Sequence, residues 1–91
     1  MELKWTTVAL NDIDDAGTYI AEENPRAATG MANRVIEATA YLTEHPTLGR
    51  QGRLRGTREL VVSGTPFLVI YRIRYNEVHL LRVLHHARRW P

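Results

Sequence analysis

Three strand-like runs follow one another with very little chain between them in the last third of this sequence, and that leaves few folds open. They occupy about Arg58–Val62, Phe67–Ile73 and Val78–Leu84. Ser63-Gly64-Thr65-Pro66 supplies one turn and Tyr75-Asn76-Glu77 a tighter one. Parallel neighbours need a long crossover, so connections this short imply an antiparallel meander. In the middle run Phe67, Val69, Tyr71 and Ile73 share one face, while Leu68, Ile70, Arg72 and Arg74 share the other. The first set suits a face under helices, and the second grades from apolar to cationic. In the last run Leu80, Arg82 and Leu84 alternate with His79, Leu81 and Val83, so neither face is clearly outside. A central or doubly covered strand would read this way.

Ahead of the meander the period changes from two to 3.6. Glu2 to Thr6 reads as a short first strand, with Leu3 and Trp5 alternating against polar neighbours. Thr7 is an N-cap candidate for a helix whose apolar stripe is Ala9, Ile13, Ala16 and Ile20. Asp12, Asp14, Asp15, Glu22 and Glu23 are expected to face outward. Gly17 either weakens this helix by about 1 kcal/mol relative to alanine or admits a close neighbour. Asn24-Pro25 ends it and starts the next, with asparagine at the cap and proline at the first helical position. The second helix runs from Pro25 to about Glu44 on a stripe of Ala28, Ala32, Val35, Ile36, Thr39 and Leu42. His45-Pro46 closes it, because the residue before proline is pushed out of the helical region. A Gly/Arg-rich connection, Thr47 to Gly56, leads into the meander. The expected fold is α+β: a short strand, then an antiparallel two-helix hairpin packed on a C-terminal antiparallel sheet, in the order β-α-α-β-β-β.

Ninety-one residues make a single domain, residues 1–91, since a second core would need roughly 50 residues of its own. With no cysteine there is neither a disulfide framework nor a thiolate metal site. No window offers the roughly 18 uninterrupted apolar residues of a membrane span. Met1-Glu2-Leu3-Lys4-Trp5 does not resemble the start of a signal peptide, so a soluble cytoplasmic protein is expected. The net charge of +2 conceals a division. Residues 1–48 carry three bases and eight acids, a balance of −5, whereas residues 49–91 carry nine arginines and two acids, a balance of +7. Such a split suggests a surface that meets an anionic partner, either nucleic acid or an acidic protein segment.

Within the basic half, Arg58, Arg72, Arg82 and Arg88 are candidates for a convergent anion site, because the guanidinium fork matches phosphates and carboxylates. The alternative is a set of solvated arginines and partners for Glu59 and Glu77. His85 and His86 invite a general acid or base role, against the plainer reading of one packed and one exposed ring at a strand end. His45, His79, His85 and His86 show no established metal-ligand spacing, and neither a metal nor a cofactor is expected. Trp90 suits an anchor for the tail or a partner contact, and Tyr19 and Tyr41 suit helix–sheet packing. Gly49, Gly52 and Gly56 do not form a phosphate-binding loop, since no GK[ST] follows a strand and precedes a helix.

Taken together, the motifs resemble the RelE/ParE superfamily, the toxic halves of bacterial type II toxin–antitoxin pairs. The resemblance covers nearly the whole chain. It rests on Ala9 with Asp12-Ile13, Tyr19-Ile20, Asn24-Pro25, His45-Pro46 with Gly49-Arg50, Gly56-Thr57-Arg58-Glu59-Leu60-Val61-Val62, Tyr71-Arg72, and Val83-Leu84-His85 through Arg88-Arg89-Trp90-Pro91. It implies the fold read above and an antitoxin partner that binds through an extended, often acidic C-terminal segment, here against Arg58, Arg72, Arg82 and Arg88. Any DNA contact would then come through the antitoxin. RelE-like members cut mRNA on the ribosome, and ParE-like members poison DNA gyrase. Aligned on these motifs, the middle-strand arginine of the nucleases falls near Leu68 and the later one near Arg88. No lysine lies after Lys4 and no tyrosine after Tyr75. A leucine cannot stabilise charge developing on a phosphate. The resemblance is therefore closer to ParE, a growth-arresting, plasmid-stabilisation type toxin with no catalytic residues expected. The alternatives are a ribosome-dependent endoribonuclease using His85 as base with Arg58, Arg72, Arg82 and Arg88, and a non-toxic antitoxin-binding module.

Overall fold

A computed structural model of the chain describes residues 1–85. Strand β1, Glu2–Trp5, leads into α1, Thr7–Ala21, and α2, Pro25–Tyr41. A two-residue strand β2, Arg50–Gln51, precedes the meander β3 (Arg58–Val61), β4 (Phe67–Arg74) and β5 (Glu77–His85). The sheet runs in the order β1-β5-β4-β3-β2. β3, β4 and β5 pair antiparallel, as their short turns require, while β1 joins the other edge of β5 in parallel, Leu3 opposite Val78 and Trp5 opposite Leu80. The reading of residues 47–56 as plain connection needs one correction. Arg50 and Gln51 pair with Glu59 and Arg58 as an edge strand, too short to leave any periodicity in the sequence.

Capping sets the helix starts. Asn24 Oδ1 accepts from Ala27 N at 3.1 Å, with Pro25 in the first turn. For α1 the cap is Thr6, one residue earlier than the sequence suggests. Its Oγ1 accepts from Ala9 N at 3.2 Å and donates to Leu80 O at 2.7 Å, so one hydroxyl both starts the helix and ties it to β5. The core lies between the hairpin and one sheet face. It joins Ala9, Val35 and Leu42 to Leu60, Val62, Phe67, Val69, Tyr71, Val78, Leu80 and Val83, with Ile13, Ala16 and Ile20 packed against it. An added Cβ at Gly17 would meet nothing within 4 Å, so that glycine admits no close neighbour. Ile36 departs from the expected stripe and is half exposed. Helix α2 ends at Tyr41, after which Leu42 to Glu44 tighten into turns. Tyr19 and Tyr41 do not pack between helix and sheet. Tyr19 is 77 % exposed and Tyr41 stacks on His45 with ring centroids 4.3 Å apart.

A β-bulge accounts for the ambiguous alternation of the last strand. Tyr71 pairs with Leu80 and Ile70 with Arg82, so Leu81 has no opposite number. The phase of β5 changes there: Val78 and Leu80 face the core before it, and Val83 does after it. Ile70 and Leu84 are buried too, which makes this end of the sheet apolar on both faces. Beside the bulge, Arg82 reaches α1. Its Nε donates to Asp12 Oδ2 at 2.7 Å and its Nη2 to Asp12 Oδ1 at 3.0 Å, and Val83 N also donates to Oδ2 at 2.9 Å. Asp12 thus faces the sheet instead of solvent, and the hydrogen bond to it raises the Arg82 pKa above its ordinary value.

The Asp12 and Arg82 side chains keep only 13 % and 29 % of their exposure. Asp12→Asn should therefore lower stability by about 2–3 kcal/mol, a little below the cost of breaking a fully buried pair. Urea denaturation checks this. A loss of about 0.5 kcal/mol or less would place the pair among ordinary surface ion pairs.

Candidate functional site

The connection from α2 to β3 is organised by a buried phenol. A tyrosine among aliphatic core residues must find a partner for its hydroxyl. Tyr71 Oη donates to Pro46 O at 2.7 Å and accepts from Gly49 N at 2.9 Å. The approach is close enough that a Cβ on Gly49 would come within 2.7 Å of the Tyr71 ring. Arg58, opposite Tyr71 in the β3–β4 register, completes the clamp. Its Nη1 donates to Gly49 O at 2.8 Å and to Thr47 O at 3.3 Å. Burial pushes the Tyr71 phenol above its usual pKa, against the Gly49 hydrogen bond and the Arg58 charge, which pull it down.

Of the four arginines named from the sequence, the three described ones, Arg58, Arg72 and Arg82, do not converge. Arg58 lies on the helix-side face of the sheet with Leu60 and Tyr71 and is bonded to neutral carbonyls. Arg72 follows Tyr71 and so points to the opposite face, across from His79. Its Nε is buried and has no hydrogen-bond partner among the described residues. Arg82 holds Asp12. Arg88, like His86 and Trp90, lies outside the described residues. Near Arg72, His79 Nε2 is 3.1 Å from Glu77 Oε1, and Lys4 Nζ is 3.9 Å from Glu77 Oε2 and 3.5 Å from Glu2. Glu59 is nearly buried and accepts from Arg50 Nη2 at 3.1 Å and Arg53 N at 3.2 Å.

His85 sits at the other end of the β4–β5 pair, opposite Phe67, whose ring meets it edge-on with centroids 6.5 Å apart. With Asp15, Tyr19, Met31 and Pro66 it lines a largely apolar cavity of about 590 Å³. Arg72 lies five positions along β4 from Phe67, roughly 17 Å of strand. His85 and Arg72 are thus remote from each other and belong to different faces. Among the described residues no three potential metal ligands cluster, and no helix is long and apolar enough to cross a membrane.

A second cavity, of about 420 Å³, lies at the β2–β3 turn and is lined by Arg55 and Arg58 together with Leu54 and Ile73. The sequence reading missed this site. The turn residues gave no phosphate-loop pattern, and only the fold brings Ile73 under them.

Removing the phenol oxygen alone tests the clamp. Tyr71→Phe should cost about 1–3 kcal/mol by leaving Gly49 N–H and Pro46 C=O without their partner. Because the folded-state pKa of Tyr71 is raised, the native state binds more protons than the unfolded one above the ordinary tyrosine pKa of about 10. Its contribution is full below that pH and is lost as pH rises through the folded value. Urea titrations between neutral and strongly alkaline pH should show a fall in stability that Tyr71→Phe flattens. An unchanged alkaline slope would remove Tyr71 as its source.

With this geometry established, comparison with known proteins places the chain. The family described as the ParE toxin of type II toxin–antitoxin system, parDE, matches residues 3–90. Y4kP of Sinorhizobium fredii is 39 % identical over 89 residues, covering 98 % of this chain and 92 % of its own. Toxin RelE2 of Caulobacter vibrioides is 37 % identical over 87 residues, covering 96 % and 97 %. Among solved structures, a chain of the chromosomal ParDE system from P. aeruginosa superposes with a TM-score of 0.85 at 26 % identity, over 93 % of this chain and 95 % of that one. A chain of the RelBE2 complex from Mycobacterium tuberculosis shares the fold, with a TM-score of 0.61 at 24 % identity over 92 % and 95 %. The matched span leaves out only the first two residues and the last, and this chain belongs to the ParE toxin family of type II toxin–antitoxin systems.

Proposed function

We propose that this ParE-family toxin arrests growth by binding and inhibiting DNA gyrase, performs no chemistry of its own, and is silenced by a cognate antitoxin. The observation that carries this reading is the dispersal of the groups a nuclease would need. Phosphodiester cleavage requires a base within about 3 Å of the attacking hydroxyl and cations within hydrogen-bond reach of the same phosphate. Arg58 is bonded to loop carbonyls on one face, Arg72 lies on the other, Arg82 is held by Asp12, and His85 sits roughly 17 Å along the strand from Arg72. Binding a large enzyme makes no such demand, because contacts spread over a surface contribute without meeting at one atom.

The antitoxin follows from two observations. The structural relatives come from ParDE and RelBE2 toxin–antitoxin systems, and this chain has a markedly arginine-rich half. An acidic extended segment would find Arg72 on the sheet face away from the core, across from His79, and the charged side of the Arg58 clamp. Arg82 takes part less directly, since its fork is already engaged, and Arg88 remains a proposed contact in the tail.

Purified toxin added to a supercoiling reaction should inhibit gyrase and accumulate cleaved DNA, and purified antitoxin should reverse both. In the same series, His85→Ala should keep full toxicity in cells and leave translated mRNA intact. Folded, toxic protein without any effect on gyrase would overturn the proposal. So would loss of toxicity in a folded His85→Ala variant that still binds antitoxin, which the endoribonuclease reading expects. Soluble protein that causes no growth arrest would mark a non-toxic binding module.

A further inference from the structure

The charged side chains lining the cavity at the β2–β3 turn are the arginines Arg55 and Arg58. Its lining includes Gln51, Arg55, Thr57 and Arg58 as polar groups and Leu54 and Ile73 as apolar ones. No acidic side chain is among the described lining residues. Arg58 spends one nitrogen, Nη1, on the carbonyls of Thr47 and Gly49, which fixes the side chain without neutralising it. Its Nε and Nη2 make no hydrogen bond among the described residues. Arg55 is exposed and has neither a hydrogen bond nor an ion pair there. The turn is itself held in shape: Gly52 N donates to Thr57 O at 2.8 Å, Thr57 Oγ1 to Leu54 O at 2.6 Å, and Gly56 takes a φ of +82°. Two cationic forks, one anchored and one free to swing, thus border a preformed cavity of about 420 Å³.

We propose that this cavity receives a glutamate or aspartate side chain from an acidic partner segment, its carboxylate between Arg55 and Arg58 and its stem on Leu54 and Ile73. The proposal rests on the reading of an acidic antitoxin segment given above and locates one of its anchors. A carboxylate in a guanidinium fork forms short, charge-assisted hydrogen bonds. The apolar pair suits the methylenes of a side chain or an adjacent aliphatic residue. A single-stranded nucleic acid is the poorer fit. Proteins that bind it combine a continuous basic groove with aromatic rings on which bases stack, and no aromatic side chain is among the described residues lining this cavity.

The test is an amide-resolved NMR titration of the folded chain with the peptide acetyl-Leu-Glu-Leu-Glu-amide, its Gln-for-Glu counterpart and a hexathymidylate oligonucleotide. The Glu peptide should shift the Gly52, Gly56 and Thr57 amides saturably. The Gln peptide should bind roughly tenfold more weakly, as expected when one charge-assisted contact is lost. Arg55→Glu should weaken the Glu peptide by at least about tenfold without altering the rest of the spectrum, since Arg55 holds nothing else in place. Equal binding of the Gln peptide, tighter binding of the oligonucleotide at these amides, an unaffected Arg55→Glu variant, or no saturable shift would each overturn the proposal. None of these readouts depends on toxicity or on gyrase, so this site and the gyrase reading stand or fall separately.

Discussion

The polar tie on which the arrangement depends is the Asp12 carboxylate, which accepts three hydrogen bonds from β5. Apolar packing is non-directional and would let the helical hairpin slide over the sheet at modest cost. A partly buried carboxylate that takes both arms of Arg82 and the Val83 amide permits one placement, because any shift leaves charged groups short of partners. Thr6, six residues earlier, repeats the constraint by capping α1 while bonding Leu80 O. Both ties land on either side of Leu81, the residue the β-bulge leaves unpaired. The bulge turns Val83 inward behind Leu80 and leaves Arg82 aimed at α1, so strand irregularity and helix docking are one feature of the fold.

Several charges counted as surface potential in the sequence are internal to this fold. Arg82 neutralises Asp12, and Arg50 neutralises a nearly buried Glu59. Arg58 does something different, since its partners are carbonyl oxygens and its positive charge remains available beside the β2–β3 turn. Arg72 lies on the opposite face, across from His79 and near the Lys4–Glu77 ion pair. Of the described arginines left, Arg55 and Arg58 border the cavity at the β2–β3 turn, and Arg72 stands on the other face of the sheet. One extended chain wrapping an edge could touch both, whereas a single compact ligand could not.

How legible this was varies by element for physical reasons. The meander was plain because three alternating runs with short turns allow only antiparallel neighbours, and Asn24-Pro25 marked the helix junction by its capping chemistry. β2 was illegible, as two residues have no period. The bulge left a trace in the loss of alternation along β5, though its position was fixed only by pairing with β4. Asp12 could have been found. It lies three residues after Ala9 and next to Ile13, on the border of the apolar stripe, where a carboxylate needs a partner. The Tyr71 clamp was out of reach, because Pro46, Gly49 and Arg58 are brought to the phenol by a loop whose path the sequence does not encode as a pattern.

The same distinction separates the two modes of action open to this superfamily. A nuclease is a demand on a few atoms: base and cations must meet one phosphate, and a displacement of about 1 Å costs orders of magnitude in rate. A protein-binding toxin is a demand on a surface, which tolerates having its arginines partly committed to the fold. In this chain the residues best placed to be catalytic are the ones that hold it together or stand at opposite ends of β4 and β5. Had selection maintained cleavage, Arg82 would be costly to lock onto Asp12, because a bidentate carboxylate competes directly with the phosphate it should bind. The lock is compatible with function only if Arg82 serves as scaffold, and that is the argument for reading this toxin as a binder.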